Sequence, residues 1–212
     1  MLIVFLLIIL LFGTFNVTAF ADFNEKTLEE LMKIEITKES LSLRNDNGDY
    51  IITVPGGEFV NLLEEMSDEN ERVHIKWNGY EGTVITRGLS KDFIFVIKEE
   101  QHIYLFQNHT LLGESPIVTG TKDTDFETPS GVFSIYAKVQ DTVLRGPDYE
   151  SPVKYWMPFY YGYGIHDADN WRTEYGGDIY IKHGSHGCVN MPTEMAKLIY
   201  ENCGIGYLVI IK

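Results

Sequence analysis

The chain has 212 residues, 44% hydrophobic and 13% aromatic, enough for one large or two small domains with a buried core. Its 31 acidic and 17 basic side chains leave a net charge of −14, which argues against nucleic acid as a partner. The 2 cysteines, Cys188 and Cys203, are too few for a disulfide framework.

Residues 1–21 read as an export segment. Met1 to Phe12 is an almost unbroken apolar run, and Ala19-Phe20-Ala21 has the small-x-small pattern of a cleavage site. No Lys or Arg precedes the run, so an uncleaved membrane anchor is the alternative; it needs Gly13–Phe20 to reach about 20 residues. Either form implies export. Residues 22–32 are expected to be a linker or short helix, with Thr27 and Glu30 in capping-box spacing before Leu31 and Met32.

From residue 33 to about residue 90 the hydrophobic period is two. Ile34/Ile36, Leu41/Leu43, Ile51/Ile52/Val54, Phe59/Val60/Leu62, Val73/Ile75/Trp77 and Val84 mark short strands between turn-forming stretches. Asn78-Gly79 carries a type I′ hairpin signal. A small barrel is expected.

Residues 91–212 continue with strands at Phe93–Ile97, His102–Phe106, Ser115–Gly120, Val132–Tyr136 and Tyr207–Ile211. The aromatic stretch Tyr155–Tyr160 is expected as core, with some side chains free to line a groove. One helix is clear, Thr193 to Asn202, with Thr193 as its cap and Ala196, Ile199 and Cys203 on one face. The fold class is therefore mainly β, with one or two helices.

The chemistry concentrates in Lys182-His183-Gly184-Ser185-His186-Gly187-Cys188-Val189-Asn190. A thiol attacks as thiolate, so Cys188 needs a base, and His186, His183 and the upstream His166 are the available imidazoles. A base near its ordinary pKa would serve at neutral pH. Glycines before the thiol allow backbone N–H groups to approach a developing oxyanion. Cys203, near the end of a helical pattern, reads as core. A metal site is not expected, because His183-x-x-His186-x-Cys188 lacks further ligands at workable spacing. Asp167/Asp169 and Asp123/Asp125 read as solvated loop acids rather than glycosidase pairs.

These residues resemble the L,D-transpeptidases with a YkuD-type catalytic domain. The signature is His166, a gap, then Ser185-His186-Gly187-Cys188-Val189-Asn190. Support comes from Pro116–Gly120, Thr128–Phe133, Tyr155–Phe159, Trp171-Arg172 and Gly176-Gly177, all in the family's order. The resemblance covers residues 91–212 and implies a β-sandwich-like domain. It departs from the commonest pattern in a long gap before Ser185 and in Asp167 directly after His166. Residues 33–90 loosely resemble a bacterial SH3 domain, a module similar in role to wall-binding domains; a plain spacer is the alternative.

The family resemblance implies a role for each matched residue. Cys188 is the nucleophile and His166 its base, oriented by the backbone carbonyl of Asp167. Gly187 and Cys188 N–H groups hold the oxyanion. Ser185, His186 and Asn190 shape the pocket and its hydrogen bonds. Apart from the resemblance, Trp156 and Arg172 are candidates for substrate contact, Arg172 being suited to a carboxylate or, equally, an exposed structural arginine. His186 as the base stays an alternative, and His183 is either a rim contact or a loop residue. The implied activity is cross-linking of peptidoglycan stem peptides through an acyl-cysteine, without a cofactor and with susceptibility to carbapenems. An L,D-carboxypeptidase and a non-catalytic wall-binding protein are the alternatives.

Overall fold

The computed structural model describes residues 34–66, 71–146 and 149–212, so the export segment and the linker lie outside the described residues. Alternation of buried and exposed side chains builds the first part. Strands β1 (Ile34–Thr37), β2 (Leu41–Arg44), β3 (Tyr50–Val54), β4 (Phe59–Leu62), β5 (Arg72–Trp77) and β6 (Tyr80–Ile85) lead through a 3-10 turn to β7 (Leu89–Ser90). Leu41, Leu43, Val54, Val60, Val73, Ile75 and Val84 point from alternate positions into one core. Asn78 and Gly79 both have positive φ, 46° and 82°, as a two-residue type I′ connection requires.

The expected barrel does not close. The strands form one open seven-stranded sheet in the order β3-β2-β6-β5-β4-β1-β7. Its last member, β7, is only 2 residues long and is used in pairing with β1. That leaves the seam towards β3 without a ladder among the described residues.

The second part opens with β8 (Phe93–Ile97), β9 (His102–Gln107), β10 (Thr110–Pro116) and β11 (Gly131–Ser134). It continues with β12 (Val139–Arg145), β13 (Glu150–Tyr160), β14 (Tyr163–Asp167), helix α1 (Ile179–His183), β15 (Val189–Met191), helix α2 (Thr193–Asn202) and β16 (Leu208–Ile211). A five-stranded sheet, β10-β9-β8-β16-β11, faces a four-stranded sheet, β12-β13-β14-β15. Between them lie Ile94, Val96, Ile103, Leu105, Met157, Ile165, Val189 and Val209, with Met195, Ala196 and Ile199 of α2.

The other face of the five-stranded sheet is also apolar. Phe93, Phe95, Phe106, Val132, Leu208 and Ile210 meet Ile36 and Phe59 of the first part. Phe93 stacks on Phe106 at 4.8 Å and meets Phe59 edge-on at 5.9 Å. At the rim of this contact His109 Nε2 lies 2.8 Å from Glu35 Oε1, and Lys212 Nζ lies 2.7 Å from Glu58. Central strands covered on both faces explain the unbroken run Phe93-Ile94-Phe95-Val96-Ile97, which shows no alternation.

Helix α2 spans the expected residues, but its cap differs. Thr193 is its first residue, and its N–H donates to Asp169 Oδ2 at 2.7 Å. A carboxylate distant in sequence thus serves the end that Thr193 was expected to cap. The same carboxylate accepts from the Tyr175 hydroxyl at 2.8 Å, so Asp169 is a structural tie rather than a solvated loop acid.

Replacing Phe93 by Ala should remove the aromatic centre of the contact between the two parts. Unfolding in urea is expected to show about 3–5 kcal/mol lost, or two separate transitions where the parent protein shows one.

Candidate active site

Backbone pairing places the reactive side chains. Strand β14 carries His166, and β15 runs parallel to it with His166 opposite Asn190. Cys188 immediately precedes β15 and so lies at the same end of the four-stranded sheet. The segment after β10 leaves its own sheet to hold the nucleophile loop. Val118 and Asn190 exchange both backbone hydrogen bonds at 2.9 Å, Ser185 N–H donates to Thr119 O at 2.9 Å, and Thr121 N–H donates to Ser185 O at 3.1 Å. This explains why Ser115–Gly120 is only partly a strand.

Two hydroxyls tighten the loop. Ser185 Oγ donates to Cys188 O at 2.5 Å and accepts from Gly187 N–H at 3.1 Å. Thr128 Oγ1 donates to Gly187 O at 3.0 Å and accepts from Gly120 N–H at 2.8 Å. Gly187 has φ +106°, and a Cβ there would stand 2.4 Å from the Tyr163 ring, so only glycine fits. The Gly187 N–H thus donates within the loop, to Ser185 Oγ. Cys188 N–H is the remaining backbone donor next to the sulfur.

His166 is buried, with its ring between Trp156 at 5.7 Å and Trp171 at 5.9 Å. Its Nδ1 lies 2.9 Å from Asp167 O. A carbonyl only accepts, so Nδ1 carries the proton and Nε2 keeps the lone pair. The Asp167 carboxylate points elsewhere and takes the N–H groups of Lys154 and Tyr155 at 2.9 and 2.8 Å.

Burial pushes the His166 imidazole down to about 4 against the weaker opposing effect of Asp167, and pushes the Cys188 thiol up to about 11. The direction for His166 runs against the expectation of a base near its ordinary pKa, and each shift favours the neutral form of its group.

His166 and Cys188 line one cleft of about 270 Å³, together with Leu144, Tyr149, Ser151, Trp171, Arg172, Gly184, Ser185, His186 and Asn190. The exposed His186 ring stacks on Tyr149 at 5.1 Å and meets Phe126 edge-on at 4.6 Å. This makes it a wall of the cleft. His183 is exposed, and its carbonyl accepts from Arg172 Nη2 at 3.0 Å. Trp156 is not among the lining residues; it packs behind His166, where a Cβ on Gly164 would clash with it. Cys203 is buried in the core.

A model of the YkuD L,D-transpeptidase catalytic domain matches residues 91–211. The chain belongs to this family. Among solved structures, it is 38% identical to the catalytic domain of an Enterococcus faecium L,D-transpeptidase, over 57% of this chain and 96% of that one, with a TM-score of 0.52. A crystal structure of E. faecium L,D-transpeptidase, a Cys-to-Ser mutant, is 28% identical over 84% of this chain and 76% of that one, with a TM-score of 0.58. A Mycobacterium smegmatis L,D-transpeptidase, 18% identical over 87% of this chain and 84% of that one, shares the fold with a TM-score of 0.51. No curated protein matches the chain.

In this L,D-transpeptidase domain, sequence reasoning missed Tyr149, Leu144 and Ser151. They reach the cleft through the β12–β13 hairpin, and no local motif marks them. It also missed the brace from Thr128, although the Thr128-Pro129-Ser130-Gly131 stretch was itself visible.

Two measurements test the neutral pair. Alkylation of Cys188 by iodoacetamide, followed by intact mass, should rise about tenfold per pH unit from pH 7 to 10, whereas a thiolate–imidazolium pair would give a plateau. The linkage of His166 has a definite sign. Its folded pKa lies below the unfolded value of about 6.5, so the unfolded state binds more protons between pH 6.5 and 4. This group's contribution is thus retained above pH 6.5 and lost as pH falls towards 4. His166→Gln should flatten the fall in urea midpoint over that window.

Proposed function

We propose that this domain is a peptidoglycan L,D-transpeptidase that cross-links stem peptides through an acyl-Cys188 thioester. The observation that carries the proposal is the shared cleft of Cys188 and His166, with the imidazole held in the tautomer that accepts a proton at Nε2. The family match and the 38% identity to the E. faecium catalytic domain support the choice of substrate.

Cys188 Sγ attacks the carbonyl carbon between the third and fourth residues of a stem as His166 Nε2 takes its proton. Burial favours the neutral form of each group, and on this reading the transfer accompanies C–S bond formation. The oxyanion is met by Cys188 N–H. Collapse breaks the C–N bond, and His166 returns the proton to the departing amine of the terminal D-amino acid. A side-chain amine of a second stem then attacks the thioester, giving a proton to His166; the C–S bond breaks and the departing sulfur takes that proton back as the thiol. Ser185, Gly187 and Thr128 keep the nucleophile loop in shape, while Trp156 and Trp171 keep the base dry.

The enzyme is placed outside the cytoplasmic membrane, where its substrate is. Among the described residues no helix is long and apolar enough to cross a membrane. The N-terminal sheet is proposed as an SH3-like wall-binding unit spanning residues 33–90, ahead of a catalytic unit at 91–212.

Residues 22–212 incubated with a disaccharide-tetrapeptide should yield dimers lacking one terminal D-residue, detected by mass spectrometry, and Cys188→Ala should yield none. Tripeptide without dimer would shift the assignment to an L,D-carboxypeptidase. Retention of substrate without turnover by either protein would leave a wall-binding role. One E. faecium relative was solved acylated by ertapenem. A carbapenem should add one covalent equivalent here, on Cys188 alone.

A further inference from the structure

Arg172 is the only lining residue of the cleft with a permanent charge, and no acidic side chain lines the cleft beside it. Among the described residues it forms no ion pair within 4.0 Å, in a chain of net charge −14. Its hydrogen bonding is also incomplete. Nη2 donates to His183 O, while Nε is buried without a partner. Asn190, almost wholly buried, likewise leaves Oδ1 without a donor. Burial disfavours the guanidinium charge, and no carboxylate of the protein offsets that cost. A cation held in this way lacks an anion, and the cleft is where one would enter.

We propose that Arg172 is the specificity-determining residue of this cleft and selects donor peptides that present a free carboxylate next to the scissile bond. The inference rests on the L,D-transpeptidase reading above and names what that site requires of its donor. A carboxylate pairs with a guanidinium through charge-assisted hydrogen bonds that an uncharged amide or a lysine ammonium cannot reproduce. Asn190 Oδ1 adds an acceptor for an N–H of the same peptide. Two sources present the required group: the α-carboxylate of the leaving residue, or a side-chain carboxylate on the residue before the scissile bond.

Four disaccharide-tetrapeptide donors separate these sources. Two carry diaminopimelate at the third position, with the C-terminus free or amidated. The other two carry lysine there, again free or amidated. With wild-type protein, removing the recognised carboxylate should lower kcat/KM by roughly tenfold or more, mainly through KM. Sensitivity to the C-terminal amide assigns the leaving residue, and sensitivity to lysine assigns the side chain. In Arg172→Gln the acid-over-neutral ratio should fall to near one, and Arg172→Lys should recover part of it.

Equal use of all four donors by the wild type would overturn the proposal, as would a preference that survives Arg172→Gln. Turnover of any donor supports the enzymatic reading independently of these ratios. Without turnover that reading fails, and calorimetry of the same donors on Cys188→Ala then decides the carboxylate preference alone.

Discussion

The site depends on one constraint: Cys188 and His166 are held where charge is poorly solvated. Burial raises the thiol and lowers the imidazole, so each favours its neutral form. Reaction at this site then rests on how the two groups are placed. The Asp167 carbonyl fixes the tautomer, and two tryptophans restrict the ring. The Asp167 carboxylate favours an imidazolium, but more weakly than burial disfavours it. Its two hydrogen bonds to β13 amides keep it committed elsewhere.

The nucleophile loop is built mostly from backbone. Pairing of 118–121 with 185–190 sets its path, and two hydroxyls lock the turn around Gly187. Such a loop can hold Cys188 in place with few side-chain contacts of its own, leaving the cleft wall to Tyr149 and His186. Ser185 lines the cleft, yet its hydroxyl makes two bonds within the loop. Its main effect is on the position of the sulfur and of the Cys188 N–H.

Much of this was legible in the sequence because the chemistry is local there. The run from Ser185 to Asn190 contains the nucleophile, the glycine forced into positive φ and the strand that pairs with β14. Helix α2 was legible from its apolar period. The parts that were not legible depend on distant partners. Asp169 caps α2 across 24 residues, β14 and β15 form a parallel pair that no short-range pattern announces, and Tyr149 arrives on a hairpin. The burial of His166 belongs in part to the same class, since Trp156 reaches it from the neighbouring strand β13. The closed barrel was expected from strand count and turn spacing alone, and these do not specify whether the first and last strands meet.

Successive side chains of the central strands point to opposite faces of the five-stranded sheet and fill two separate apolar clusters. Ile94, Val96, Val209 and Ile211 face the core shared with the four-stranded sheet, which carries His166 and leads into Cys188. Phe93, Phe95, Leu208 and Ile210 face the N-terminal sheet. One sheet thus divides its two faces between them, and β16, the last strand of the chain, contributes to both. The N-terminal part is bound to the side of the sandwich opposite the sheet that carries the cleft. The packed five-stranded sheet lies between it and the cleft, which is lined by residues 144–190 alone.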